Sequence, residues 1–427
     1  MLSLKTIREE TDRVRKNIER KKDAATLKIL DELLMKDAEW RKHKVAADKL
    51  RAERNKLSEA INAAKKRGED ATKLIVQAKK IPAQIKAAEE AMERLMTEEI
   101  KPRLRKIPNF MHPDVPYGKD DSENPEVKRH GTPRAFTFPV KNHVELCEAL
   151  GLADFEASGR TSGNGFYFLK GDLALLNQAL IQYAIGIMRK HGYTYIEPPL
   201  MVRKRILDAA MDTDGFEATI YRIEGDDLAL IGTSEHAILG MLDGQVLPED
   251  ELPLKLFAYS MCFRQEIGSH GINEKGLWRT HQFNKVEMFQ FTKPEESWDA
   301  YDEMLSISEE IMQGLQLPYR VIECCTGDLA LWKARSMDVE VWRPTTKSYG
   351  EVMSLSNCTD YQARDLGIKL LRKNGTREVV HTLNNTALAT SRIMVAILEN
   401  YQNEDGSITV PEALRGSLGR ERLGTHS

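Results

Sequence analysis

The sequence predicts an α+β protein in three stretches: a helical arm over residues 1–106, a linker over 107–131, and a body over 132–427 built on a mostly antiparallel sheet flanked by helices. Three observations predict it. Apolar residues recur at steps of three and four from Thr26 to Glu99, with almost no helix breaker. A proline-rich stretch, "KPRLRKIPNFMHPDVPYGKDDSENPEVKRHG" at 101–131, follows. Beyond it, short period-two segments are interspersed with amphipathic helices.

In the arm, Leu33, Trp40, Ala47, Leu50, Leu57, Ile61 and Ala64 form one apolar series, and Leu74, Ala78, Ile81, Ile85, Ala88, Met92 and Leu95 a second. Such spacing with charges elsewhere predicts a coiled coil. "KKRGED" at 65–70 interrupts it, so Gly68 is the expected reversal point and the two helices run antiparallel. Arg54 falls on the seam, and Pro82 removes a helical hydrogen bond and should bend the second helix. Helices of about 35–40 residues at 1.5 Å each are roughly 50–60 Å long.

Charge divides with the architecture. The chain carries a net −3, yet residues 1–106 hold 29 Lys and Arg against 19 Asp and Glu, and the rest is correspondingly acidic. A basic arm on an acidic body suggests that the arm meets a polyanion, nucleic acid foremost, although a solvated helical surface also fits. Five cysteines show no CxxC spacing and include adjacent Cys324-Cys325, so buried thiols in a reducing compartment are expected and no zinc site is. No apolar run is long enough to span a bilayer, which points to a cytoplasmic protein.

In the body, "ALLNQALIQYAIGIMRKHGY" (174–193) reads as an amphipathic helix running into a strand closed by Pro198-Pro199. Leu176, Leu180, Tyr183 and Ile187 with that strand make an apolar surface that a monomer would expose, so a homodimer is predicted. The segment "FRQEIGSHGINEKGLWRTHQFNKVEMF" (263–289) alternates at period two at both ends around Gly268, Gly271 and Gly276, the pattern of a long hairpin. Period two groups Arg264 with Glu266, and Phe283 with Lys285 and Glu287. A face so charged must meet a ligand or water, and spacing alone also fits a solvated hairpin with cross-strand ion pairs.

These segments in order resemble the three motifs of class II aminoacyl-tRNA synthetases. With the start "MLSLKTIREETDRVRKNI", the arm, "IPNFMHPDVPYGKDDSEN" and the end "LENYQNEDGSITVPEALR", the whole chain is similar to the seryl-tRNA synthetases. The resemblance implies a class II catalytic domain, ATP and L-serine as substrates, magnesium, tRNA(Ser) as acceptor and a homodimer; whether tRNA(Sec) is charged stays open. By resemblance Arg264 bridges the α-phosphate and the serine carboxylate, Glu266 accepts from the adenine amino group, and Phe283 and Arg392 take the two faces of adenine. Arg279 points to the γ-phosphate, the backbone near Thr280 lies beside the base, and Arg264 and Arg392 are the catalytic arginines.

"YGEVMSLSNCTDYQARD" (349–365) resembles the metal segment, so Glu351 and Ser354 are the implied magnesium ligands, with Met353 where serine is usual. "GTSEH" (232–236) resembles the amino-acid loop. Thr233, Glu235, Glu287, Asn384 and Thr386 are then the serine-binding set, although Thr233 or Ser234 also fits a helix cap. "LNNTALATSRIMVAILENYQ" (383–402) resembles motif three but carries Asn385, Ala387, Ala389 and Ser391 where glycines often stand. In the arm, Arg51, Arg54, Lys65, Lys66, Arg67 and Lys73 are the implied tRNA contacts. A non-catalytic tRNA-binding paralogue is the alternative, and a carrier-protein ligase lacking a long arm is a weaker one.

Overall fold

The computed structural model describes residues 1–266 and 275–424 and divides the chain into two compact units, Leu2–Pro108 and the remainder from Asn109. In the first, two short helices, Leu4–Glu9 and Thr11–Arg20, precede α1 (Ala24–Lys66) and α2 (Thr72–Arg94), which pack on each other. Asp23 starts α1 by accepting from the Thr26 N–H, an N-cap that satisfies one of the first-turn donors. The chain reverses after Lys66, and Gly68 sits at φ +70°, a region that costs glycine little. Every residue of the two apolar series is buried or half-buried, whereas Arg54 is exposed and off the seam. Pro82 lies within α2.

The second unit is built on an eight-stranded sheet. Its strands in chain order are β1 (Glu126–His130), β2 (Thr194–Ile196), β3 (Leu254–Phe263), β4 (Gln282–Thr292), β5 (Tyr319–Glu323), β6 (Arg335–Arg343), β7 (Ser348–Thr359) and β8 (His381–Ala389). The spatial order is β1-β5-β6-β7-β8-β4-β3-β2, antiparallel throughout except for the parallel β2–β3 pair at one edge. Residues 109–131, read in sequence as a linker, lie with this unit, since β1 pairs with β5.

Period two in β4 sorts its side chains. Val286 and Met288 join the main core, which holds α3 (Gly171–Lys190), α5 (Ser297–Gly314) and α6 (Thr390–Asn400) against the sheet. Phe289 and Phe291 belong to a second core with Ile238 and Leu239 of α4 (Ser234–Met241). Leu176 and Leu180 of α3 are fully buried within the chain's own main core, and Tyr183 and Ile187 pack against it. The apolar surface expected of those four is therefore taken up inside the fold. Phe168 and Leu175 are the exposed apolar side chains beside it in sequence.

The hairpin reading of 263–289 is half met. β4, from Gln282, contains the alternating run from Phe283 to Glu287, but β3 ends at Phe263, so Arg264 and Glu266 follow the strand and Glu266 takes φ +52°. Gly268 and Gly271 lie outside the described residues; Gly276 has φ +145°.

Candidate active site

One cavity of about 430 Å³ opens over β4, β7 and β8 beside α4, and every nucleotide, metal and serine residue named from the sequence lines it. The arm residues Arg51, Arg54, Lys65, Lys66, Arg67 and Lys73 belong to the other unit and are all exposed. Two of them are engaged: Arg51 pairs with Asp48 at 2.7 Å and Glu89 at 2.6 Å, and Arg67 with Glu69 at 2.9 Å.

At one end of the cavity lie the arginines. The Arg264 Nε–H donates to the Gly232 carbonyl at 3.2 Å, and the guanidinium lies 5.4 Å from the Phe283 ring centroid. Arg279 pairs with Glu266 at 3.2 Å, while Thr280 is buried. Arg392, in the first turn of α6, donates to the Glu351 carbonyl at 2.8 Å and approaches its carboxylate at 3.3 Å. Burial would raise the Glu351 carboxyl, but Arg392 and Arg264 outweigh it and hold that carboxyl below its usual range.

At the other end two buried carboxylates face each other. Glu235 accepts from the Gln362 amide at 2.6 Å and from the Asn384 amide at 3.2 Å. Glu287 accepts from Asn384 and from the Thr386 hydroxyl, each at 3.3 Å, and pairs with Lys285. The register explains the meeting, because Glu287 stands opposite Thr386 across the β4–β8 pairing. Burial pushes the Glu235 carboxyl up to about 7 against the Gln362 bond, and the Glu287 charge adds to the rise. Thr233 caps α4, as the helix-cap reading had it, and also accepts from Lys285 Nζ at 3.3 Å. Asn384 Oδ1 is buried with no hydrogen-bond partner among the described residues. An acceptor left so is costly unless a ligand supplies the donor.

The departures in motif three have a local explanation. The Asn385 amide turns to the opposite face of the sheet, donating to the Met304 carbonyl at 3.0 Å and Ser308 at 2.8 Å. Ala387 joins the core there, and of the four only Ala389 and Ser391 line the cavity. Met353 is likewise in the main core, away from the cavity-lining Ser354.

Sequence reasoning gave no role to Trp278, Lys285, Lys333, His236 or Gln362. Lys285 had a signal, its period-two place between Phe283 and Glu287; the others had none. Lys333 Nζ reaches Ser354 Oγ at 3.5 Å and Ser336 Oγ at 3.2 Å; burial would lower its ammonium, but Asp338 and its neighbours keep it raised. Desolvation lowers His236 to about 3, so its ring is neutral.

Two family models match the chain. One is the seryl-tRNA synthetase N-terminal domain, over residues 1–111. The other is the tRNA synthetase class II core domain (G, H, P, S and T), over 217–401. A serine--tRNA ligase of Methanoregula boonei is 46% identical over 97% of this chain and 98% of its own. The crystal structure of seryl-tRNA synthetase from Pyrococcus horikoshii complexed with ATP superposes with a TM-score of 0.94 at 37% identity, covering all of both chains. That of the cytoplasmic serine-tRNA ligase of Naegleria fowleri in complex with AMP gives 0.85 at 30%, over 96% of this chain and 95% of that one.

Proposed function

The chain belongs to the seryl-tRNA synthetase family, and from that premise we propose how its residues divide the work. The reaction has two steps: serine and ATP give seryl-adenylate and pyrophosphate, then the seryl group passes to the 3′ end of tRNA(Ser). No observation favours the non-catalytic alternative.

The observation that carries the assignment is the gathering of the two buried carboxylates and the two arginines in one cavity. Adenylation joins two anions, the serine carboxylate and the α-phosphate. Arg264, its stem fixed by Gly232, bridges them and stabilises the charge that develops as the bond forms. Adenine lies between Phe283 and Arg392, because guanidinium planes stack well on π-systems. Glu266 then accepts from the adenine amino group and Arg279 turns to the γ-phosphate, so ATP replaces the Glu266–Arg279 ion pair. The backbone at Thr280 borders the base.

Serine is held by Thr233, Glu235, Glu287, Asn384 and Thr386. Two carboxylates and the unpartnered Asn384 oxygen are acceptors, which suits an ammonium and a hydroxyl, both donors. A site built around a hydroxyl rejects alanine and glycine, because its own buried groups would be left unpaired.

Glu351 and Ser354 are proposed to hold magnesium. Both present hard oxygen, and the neighbouring Asp338, across from Ser354 in the β6–β7 register, keeps a buried Oδ1 without a hydrogen-bond partner among the described residues. Such oxygens fit an ion that takes few protein ligands and keeps several waters. Magnesium, when bound, neutralises phosphate charge beside the arginines.

The reading extends to a homodimer, for which the three-residue edge strand β2 and exposed Phe168 and Leu175 supply surface. It extends also to tRNA held by the basic arm of residues 1–106, with residues 132–427 as the catalytic part, and to work in the cytoplasm. Serine-dependent ATP–pyrophosphate exchange, measured with and without tRNA, tests the assignment. Exchange with serine but not alanine or threonine is expected, and its absence would overturn it.

A further inference from the structure

Trp278 has no part in the roles above, yet it lines the cavity and lies against two arginines. Its indole lies 4.2 Å from the Arg343 guanidinium and 5.6 Å from that of Arg392. Both distances are within cation–π range. Opposite the indole is Gly350, where an added Cβ would come within 2.5 Å of the ring. Any side chain at 350 therefore displaces the indole.

The ring is also held from behind. The Leu277 N–H donates to His143 Nε2 at 3.1 Å, which leaves the proton on His143 Nδ1 to meet Glu399 at 3.1 Å. Glu399 in turn accepts from Arg343 at 3.3 Å. The backbone before the indole and the cation beside it thus converge on one buried carboxylate. Glu399 sits on α6, the helix that carries Arg392. The linkage closes on itself: α6 to Arg343, to Trp278, and back to α6 through Arg392.

We propose that Trp278 is a positioning residue for ATP, its indole fixing the plane of the Arg392 guanidinium on which adenine stacks. Without it, Arg392 keeps, among the described residues, its bonds to Glu351, and these restrain the end of the side chain without setting its tilt toward the base. The inference rests on the reading of Arg392 as the adenine-stacking arginine.

Trp278→Ala should raise the ATP KM in pyrophosphate exchange on the order of tenfold, the scale of one lost cation–π contact in a desolvated site. The serine KM should change by less than about twofold, since no serine residue leans on the indole. Trp278→Phe should lose less than Trp278→Ala, because it keeps an aromatic face. The intrinsic fluorescence change on adding ATP should shrink in Trp278→Phe to what Trp332, which also lines the cavity, contributes. Gly350→Ala should reproduce the ATP-selective rise without altering the indole chemically. It also serves where Trp278→Ala does not fold. Arg392→Ala separates the two readings. A raised ATP KM in Arg392→Ala with wild-type values in Trp278→Ala and Gly350→Ala overturns this inference alone. A wild-type ATP KM in Arg392→Ala overturns the stacking assignment and this inference with it. Equal rises in ATP and serine KM for the Trp278 variants would mark a merely structural role and also overturn it.

Discussion

Each titrating or charged group in the cavity gives a measurable signature. Arg264→Ala should reduce adenylate formation by at least about a hundredfold, the scale of removing one charge contact to a transition state. Single-turnover pyrophosphate exchange checks it, with folding verified by circular dichroism. Glu287→Ala removes an acceptor for serine and the ion-pair partner of Lys285, so the serine KM should rise about 10–100-fold, as for a lost charge-assisted hydrogen bond. Discrimination against alanine should fall with it. Glu235 predicts a pH dependence. Its carboxyl is raised to about 7, and the serine ammonium binds the ionised form. The serine KM should therefore be flat above pH 7 and climb by up to about tenfold per unit below it. For folding the sign is the reverse. A carboxyl raised in the folded state favours folding below its unfolded value near 4.5, and that contribution is lost as pH rises through 7. The serine KM and the melting temperature should thus both fall as pH rises toward 7, affinity gaining while stability is lost, and profiles that slope in opposite directions would refute the assignment to Glu235.

Among elements, the arm makes the clearest prediction. Replacing residues 35–95 with a short linker should leave serine-dependent exchange nearly intact. Charging of tRNA should collapse through a higher KM for tRNA, and wild-type tRNA affinity should fall steeply with salt because phosphate contacts release counterions. Equal charging by the truncated enzyme would reduce the arm to a structural rod. The arm was legible in sequence because a coiled-coil seam repeats over two long helices, and neither Pro82 within the second nor Arg54, which falls off the seam, erases the pattern. β4 was legible for a related reason, since its charged and aromatic side chains alternate in the register the cavity needs. β3 was not: "LKLFAYSMCF" is largely apolar on both faces, and the residues that suggested a strand, Arg264 and Glu266, come after it ends. Gln362 and Lys333 were illegible because only pairing of distant segments brings them to Glu235 and Ser354. The apolar stripe on α3 misled about surface, for amphipathic spacing says that a face is covered but not by which partner.

At the scale of the molecule, static light scattering at micromolar concentration should give twice the chain mass of 48.5 kDa, and a stable, active monomer would refute the dimer. The division of the chain between Pro108 and Asn109 has a consequence for calorimetry. Two compact units can each give their own melting transition. A ligand stabilises only what it binds, by RT ln(1 + [L]/Kd), about 2.7 kcal/mol at a hundredfold excess over Kd. A non-hydrolysable seryl-adenylate analogue should then move one endotherm upward and leave the other where it was, while a tRNA fragment limited to the arm's footprint should do the converse. The heat trace would read out, in one experiment and without any catalysis, which half of the chain each ligand occupies.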